Sequence, residues 1–73
     1  MAQVKAHITG TVWKIEVKVG DAVAEGQTVV VLESMKMEMP VESPSAGQVS
    51  AVLVKEWQSV EEGAPLVELT AGP

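Results

Sequence analysis

GTVWKIEVKVGDAVAEGQTVVVL, residues 10–32, lies without a gap on GQVSAVLVKEWQSVEEGAPLVEL, residues 47–69, after a shift of 37 places. Nine of the 23 aligned positions are identical, among them Gly10 with Gly47, Val12 with Val49, Val17-Lys18 with Val54-Lys55 and Glu25-Gly26 with Glu62-Gly63. Ile15, Val17 and Val19 alternate with Lys14, Glu16 and Lys18, the period of a half-buried strand, and valine's branched side chain favours that state. Two copies are too few for a stacked solenoid. The economical solution is two β halves that close on one another about a pseudo-twofold axis, each covering the other's apolar face.

The alignment also selects the buried face. Val31 meets Glu68, whereas Val30 and Leu32 meet Val67 and Leu69, so Val30, Leu32, Val67 and Leu69 are expected to point inward. Parity changes between Val12 and Ile15, and again between Val49 and Val52, which reads as a bulge in the first strand of each half. Gly10 and Gly47 would serve the backbone just before it. Gly20-Asp21 is matched by Trp57-Gln58, so that turn is expected to differ between the halves.

Outside the repeat, the composition narrows the function. The chain has 73 residues, five basic against ten acidic side chains, a formal net charge of −5 and no cysteine. One domain fits that length. Stability scaled to it is about 4–11 kcal/mol, with no disulfide or thiolate-metal clip to add to it. An independent multi-step enzyme is not expected at this size. The acidic balance and the absence of Phe and Tyr argue against nucleic acid, which needs a basic footprint and aromatic platforms. MAQVKAHITG at the start lacks the apolar core of a signal peptide, and no apolar run is long enough for a bilayer. A cytoplasmic monomer without membrane contact is the expectation.

Between the halves lies LESMKMEMPV, residues 32–41, for which the repeat has no counterpart, since Lys36 shifted by 37 falls on Pro73. Strand-like runs on both sides predict a hairpin with Met35-Lys36 at its tip, pairing Ser34 with Met37, Glu33 with Glu38 and Leu32 with Met39. Alternation then carries the inward face from Val30 and Leu32 to Met39 and Val41, with Ser34 and Met37 on the same side nearest the tip. Met35 falls on the other face and Lys36 projects from the end. Two features break local rules. Two-residue turns want Gly, Asn or Asp at positive φ, and neither Met35 nor Lys36 is one. Glu33 opposite Glu38 sets like charges side by side. Such violations mark functional sites more often than chance.

Glu33-Ser34-Met35-Lys36-Met37 resembles the Met-Lys-Met attachment motif of biotinyl domains, the carrier modules of biotin-dependent carboxylases. The frame around it is similar over nearly the whole chain: Gly20-Asp21, Glu25-Gly26-Gln27, Ser45-Ala46-Gly47 and Glu62-Gly63. The Gly10 to Lys14 entry resembles the small stand-alone biotin/lipoyl attachment proteins. The resemblance implies an all-β fold, a flattened eight-stranded barrel or sandwich of two four-stranded antiparallel sheets, a barrel-sandwich hybrid. One domain would span residues 1–73, with half-repeats at about 10–32 and 47–69 and the attachment hairpin at 33–40. It implies that biotin protein ligase joins biotin to the ε-amine of Lys36, and that the arm carries carboxylate between a biotin carboxylase and a carboxyltransferase. Met35, Met37, Glu33 and Glu38 would be read by the ligase. The chain would then be a carrier and not a catalyst. It departs from the family in Ile8-Thr9 where Pro-Met often precedes the glycine, and in Ser34 where alanine is common. The gapless repeat leaves no room for the thumb that some acetyl-CoA carboxylase carriers insert.

Other readings compete. Lipoate on Lys36 would make an acyl or one-carbon carrier, although lipoyl domains more often show Asp-Lys-Ala at the tip. An unmodified β-barrel adaptor of the membrane-fusion type needs long helical flanks that this sequence does not show. His7 has no second histidine or cysteine with which to share a metal, so no metal site is expected. Ser34 lacks a nearby histidine base, and no catalytic residue is expected. Met39, Trp13 and Trp57 are expected to pack.

Overall fold

The computed structural model describes residues 2–70. Eight strands follow in order: β1 (Ala2–Lys5), β2 (Gly10–Ile15), β3 (Ala22–Val23), β4 (Thr28–Ser34), β5 (Met37–Glu42), β6 (Gly47–Val52), β7 (Ser59–Val60) and β8 (Pro65–Thr70), with no helix among the described residues. They form two four-stranded antiparallel sheets with strand orders β1-β8-β6-β3 and β5-β4-β2-β7. The molecule is 38 Å long and 19 by 18 Å across. No described helix is long and apolar enough to cross a membrane.

The pseudo-twofold is visible in the strand registers. Thr11 pairs with Glu33, Val12 with Leu32 and Ile15 with Val30; adding 37 to every number gives Gln48 with Thr70, Val49 with Leu69 and Val52 with Val67. The slip between Val12 and Lys14 recurs between Val49 and Ala51, so both first strands carry the bulge that the parity change foretold. β1 does for β8 what β5 does for β4. Ala2 pairs with Leu69 and Val4 with Val67, as Met39 pairs with Leu32 and Val41 with Val30. Pro73, the shifted position of Lys36, lies outside the described residues.

The core is one cluster of valines and leucines drawn from both sheets, including Val12, Leu32, Val49, Leu66 and Leu69. Val30, Leu32, Val67 and Leu69 are buried as the alignment requires. Strict alternation fails beside them, because Val29 and Leu66 are buried too. The pairing jumps from Thr28 to Val30 and, in the other half, from Pro65 to Val67, so one residue in each strand is bulged and two neighbours face inward. Pro40 sits in β5, an edge strand of its sheet, where a missing N–H costs the ladder least.

The turn expected to differ between halves is the same in both. The Gly20 N–H donates to the Val49 carbonyl at 2.8 Å, and the Trp57 N–H donates to the Val12 carbonyl at 2.6 Å. Asp21 Oδ2 accepts from the Lys18 N–H at 3.0 Å, and Gln58 Oε1 accepts from the Lys55 N–H at 3.0 Å. These bonds hold Trp57 at φ +71°, in the left-handed region that Gly20 occupies at +98°. Trp57 does not pack as expected: it is 68% exposed, because the residue that replaces a turn glycine points away from the core. Trp13 is half-buried.

Two kinds of glycine follow. A Cβ on Gly20 would touch nothing within 4 Å, so Gly20→Ala is charged only the left-handed backbone, about 1–2 kcal/mol. A Cβ on Gly10 would lie 2.6 Å from the Glu33 carbonyl oxygen, so Gly10→Ala must push β2 from β4. That overpacking costs about 1–3 kcal/mol. Thermal melts should show Gly20→Ala lower by roughly 4–16 °C. Gly10→Ala should in addition weaken amide-exchange protection across β2 and β4, a loss that Gly20→Ala should spare.

Candidate functional site

β4 and β5 are joined by two residues only, Met35 and Lys36, and pair as Ser34 with Met37, Glu33 with Glu38 and Leu32 with Met39. Met35 has φ +54° and Lys36 φ +63°. Positive φ at both central residues is the primed hairpin turn, whose twist matches that of the flanking strands. Neither residue type favours it. Strand pairing on both sides imposes a primed turn, because an unprimed type I or II turn would splay β4 from β5.

The base of the hairpin is firmly held. Leu32 is fully buried two residues below Ser34, and Gly10 brings β2 against the Glu33 carbonyl, with the Ser34 Cβ 3.5 Å from the position of a Gly10 Cβ. β7 pairs with the start of β2, Val60 beside Gly10, and the chain passes through residues 61–64 into β8, which begins there and runs the other way. Thr70 therefore lies at the far end of the molecule from the hairpin tip.

Above that base the side chains are open. Met35 is 92% exposed, Met37 is 61% exposed, and Glu33, Lys36 and Glu38 are exposed. Met37 pairs with Ser34 as expected and is exposed, which sets aside a gap-filling core role and leaves it at the contact surface beside Lys36. Met39 is only half-buried and lies outside the core cluster. The common reason is that the hairpin extends past the facing sheet, so an inward direction near the tip leads to solvent. Among the described residues Lys36 has no carboxylate within ion-pair distance; the ion pair found there, Lys14 with Glu16, is elsewhere. Glu33 and Glu38 face each other across the ladder, as the turn length requires. His7 is exposed, and the described residues hold no cluster of three metal-ligating side chains.

Met35 gives a clean measure of the turn's strain. It is almost wholly exposed, so its removal forfeits little packing, and asparagine enters the left-handed region far more readily. Met35→Asn should stabilise the fold by about 0.5–1 kcal/mol, raising the melting temperature by roughly 2–8 °C. An unchanged or lower melting temperature would show that the methionine is held by contacts at the tip.

The antiparallel sandwich thus carries an exposed lysine on a two-residue turn with positive φ at both positions. Comparison with known proteins gives it a family. A protein-family model described as "Biotin-requiring enzyme" matches residues 1–69. The chain is 45% identical over 67 residues to a biotin/lipoyl attachment protein of Bacillus subtilis, covering 92% of each. It is 47% identical over 66 residues to a biotin carboxyl carrier protein of acetyl-CoA carboxylase from Solanum lycopersicum, covering 90% of this chain and 94% of that one. The solved structure of Kluyveromyces lactis urea carboxylase superposes with a TM-score of 0.89 at 33% identity, over 94% of this chain and 6% of that one. The chain belongs to the biotin/lipoyl attachment domain family.

Proposed function

We propose that the chain, as one attachment domain, is a biotin acceptor and carboxyl carrier whose attachment residue is Lys36. The observation that carries the site is the placement of Lys36: second residue of a two-residue turn, exposed, without an ion-pair partner among the described residues, and flanked by two exposed methionines. A covalent arm fits such a tip, because a flexible four-carbon stem on a fixed base can enter a partner's active site. The chain itself supplies no catalyst; it supplies the nucleophile and the mobile base of the arm.

The loading step is an acyl transfer. A ligase consumes ATP to make the acyl adenylate of biotin, and the neutral Nζ of Lys36 attacks the acyl carbon. The amide C–N bond forms, the bond to AMP breaks, and the amine proton goes to solvent or a ligase base. Lysine suits this because its amine, unlike a guanidinium, can be deprotonated by a partner that envelops it. Once attached, biotin supplies the group that takes up and releases a carboxyl. Tethering raises its concentration at each partner site without a docking surface of comparable size. Biotin carboxylase and carboxyltransferase components are the partners this role requires, and a monomer in the cytoplasm suits a carrier shared between them.

Met35 and Met37 are assigned to ligase contact, since exposed thioethers make an adaptable apolar surface. Glu33 and Glu38, exposed at the base, are assigned to the same recognition through a basic surface on the ligase. The Met-Lys-Met tip favours biotin over lipoate. Intact-mass measurement after incubation with ATP and either biotin and a biotin ligase, or lipoate and a lipoate ligase, tests this. One biotin per chain is expected. A lipoyl adduct alone would move the chain to the acyl-carrier reading, and no adduct from either ligase would point to the unmodified adaptor.

A further inference from the structure

We propose that the thioethers of Met35 and Met37 are a reversible oxidation site that controls whether Lys36 can be loaded, an inference that rests on the reading of Lys36 as the attachment residue. The chain has no cysteine and four methionines, so thioethers are its only sulfur. Two of them flank Lys36 directly, at 92% and 61% exposure, while Met39 is half-buried. Of the described methionines, those at the tip are therefore the ones that a two-electron oxidant of the peroxide class meets first.

The step balances without a further reactant. A sulfur lone pair attacks one peroxide oxygen, the O–O bond breaks, an S–O bond forms, and the second oxygen leaves as water after proton transfer. Sulfur is oxidised by two electrons and the peroxide is reduced by two. The product sulfoxide is uncharged, polar and chiral, and thiol-dependent reductases specific for each epimer return it to the thioether as water is released. Neither methionine belongs to the core, so the fold should be indifferent to the change. A ligase that covers the tip is not indifferent. It must bury two sulfoxide oxygens in a surface matched to thioethers, and a buried polar atom without a partner opposes binding.

The location gives the modification a purpose that surface oxidation elsewhere would lack. Met35 and Met37 are the covalent neighbours of the reacting lysine on both sides, so no docking mode that reaches Lys36 can avoid them. The carrier would thus stay folded but cease to accept biotin under oxidising conditions, and recover when reduced.

The test uses the full unbiotinylated chain and hydrogen peroxide. Peptide mapping should find sulfoxide at Met35 and Met37 before Met39, with the melting temperature unchanged. Biotin ligase should then load the oxidised chain with kcat/KM lower by about tenfold or more, which is ~1.4 kcal/mol of lost transition-state stabilisation. Treatment with sulfoxide reductases of both epimer specificities should restore the rate. Unchanged loading of doubly oxidised chain would overturn the proposal, as would earlier oxidation of Met39 or failure of the reductases to restore the rate. In Met35→Leu/Met37→Leu, the ratio of rates with and without peroxide should stay near one whatever the starting rate; a tenfold fall there would place the effect elsewhere. If the untreated wild type takes no biotin at all, the reading of Lys36 has failed and not the oxidation chemistry, whose sulfoxide map is read independently.

Discussion

Lys36→Arg should take up no biotin, a loss of at least about a thousandfold in labelling rate, while melting within roughly 2 °C of wild type. The replacement keeps the charge, the length and the exposed position, so the fold has nothing to lose. What disappears is the nucleophile, because a guanidinium cannot be deprotonated under protein conditions. The positive φ at position 36 falls on arginine as it did on lysine, so the turn is not perturbed. Labelling by quantitative mass spectrometry and a thermal melt on the same sample separate the two effects. Residual labelling above about one per cent of wild type would mean that another of the exposed lysines competes, against the assignment to Lys36.

The second large effect is structural. Leu32→Ala removes a fully buried side chain from the strand that leads into the Met35-Lys36 hairpin, a position where such truncations cost about 2–5 kcal/mol. Against a total near 4–11 kcal/mol for a chain of this length, that is a large fraction of all the stability present. The melting temperature should fall by about 10 °C or more, and urea denaturation should show a lower midpoint at unchanged slope. Val19→Ala provides the contrast: Val19 is 62% exposed, and its truncation should move stability by no more than about 0.5 kcal/mol. A small effect at Leu32 would mean that the core can collapse around the gap, against the close interdigitation of two valine-rich sheets.

Legibility of these features in the sequence follows their physics. The 37-residue shift fixed the halves because both solve the same packing problem, and its registers reappear pair by pair in β2–β4 and β6–β8. The hairpin pairing was readable because two residues between Ser34 and Met37 leave one register, and Glu33 opposite Glu38 follows from it. The burial of Val29 beside Val30, and of Leu66 beside Val67, was not readable. A valine-rich run carries no mark of which residue is bulged, and only the partner strand decides. For Met37, alternation gives the direction and not how far the opposite sheet extends, so how open the tip is could not be read from it. Trp57 misled for a related reason: residue type suggested a new turn, while hydrogen bonds shared with Gly20 imposed the old one.

These features fall at the tip, at the bulges and in the Trp57 turn, where long-range contacts override local preference. The strain at Met35 and Lys36 belongs to the same class. Residues poorly suited to a left-handed turn are kept there, which is consistent with selection for what the turn presents over what stabilises it.

The central claim is that one lysine is raised above the fold for covalent loading. The chain offers five candidates, Lys5, Lys14, Lys18, Lys36 and Lys55. Proteolysis of ligase-treated wild-type protein followed by tandem mass spectrometry locates the adduct directly. All biotin is expected on the peptide containing Lys36; biotin on any of the other four lysines, with Lys36 unmodified, would contradict the account.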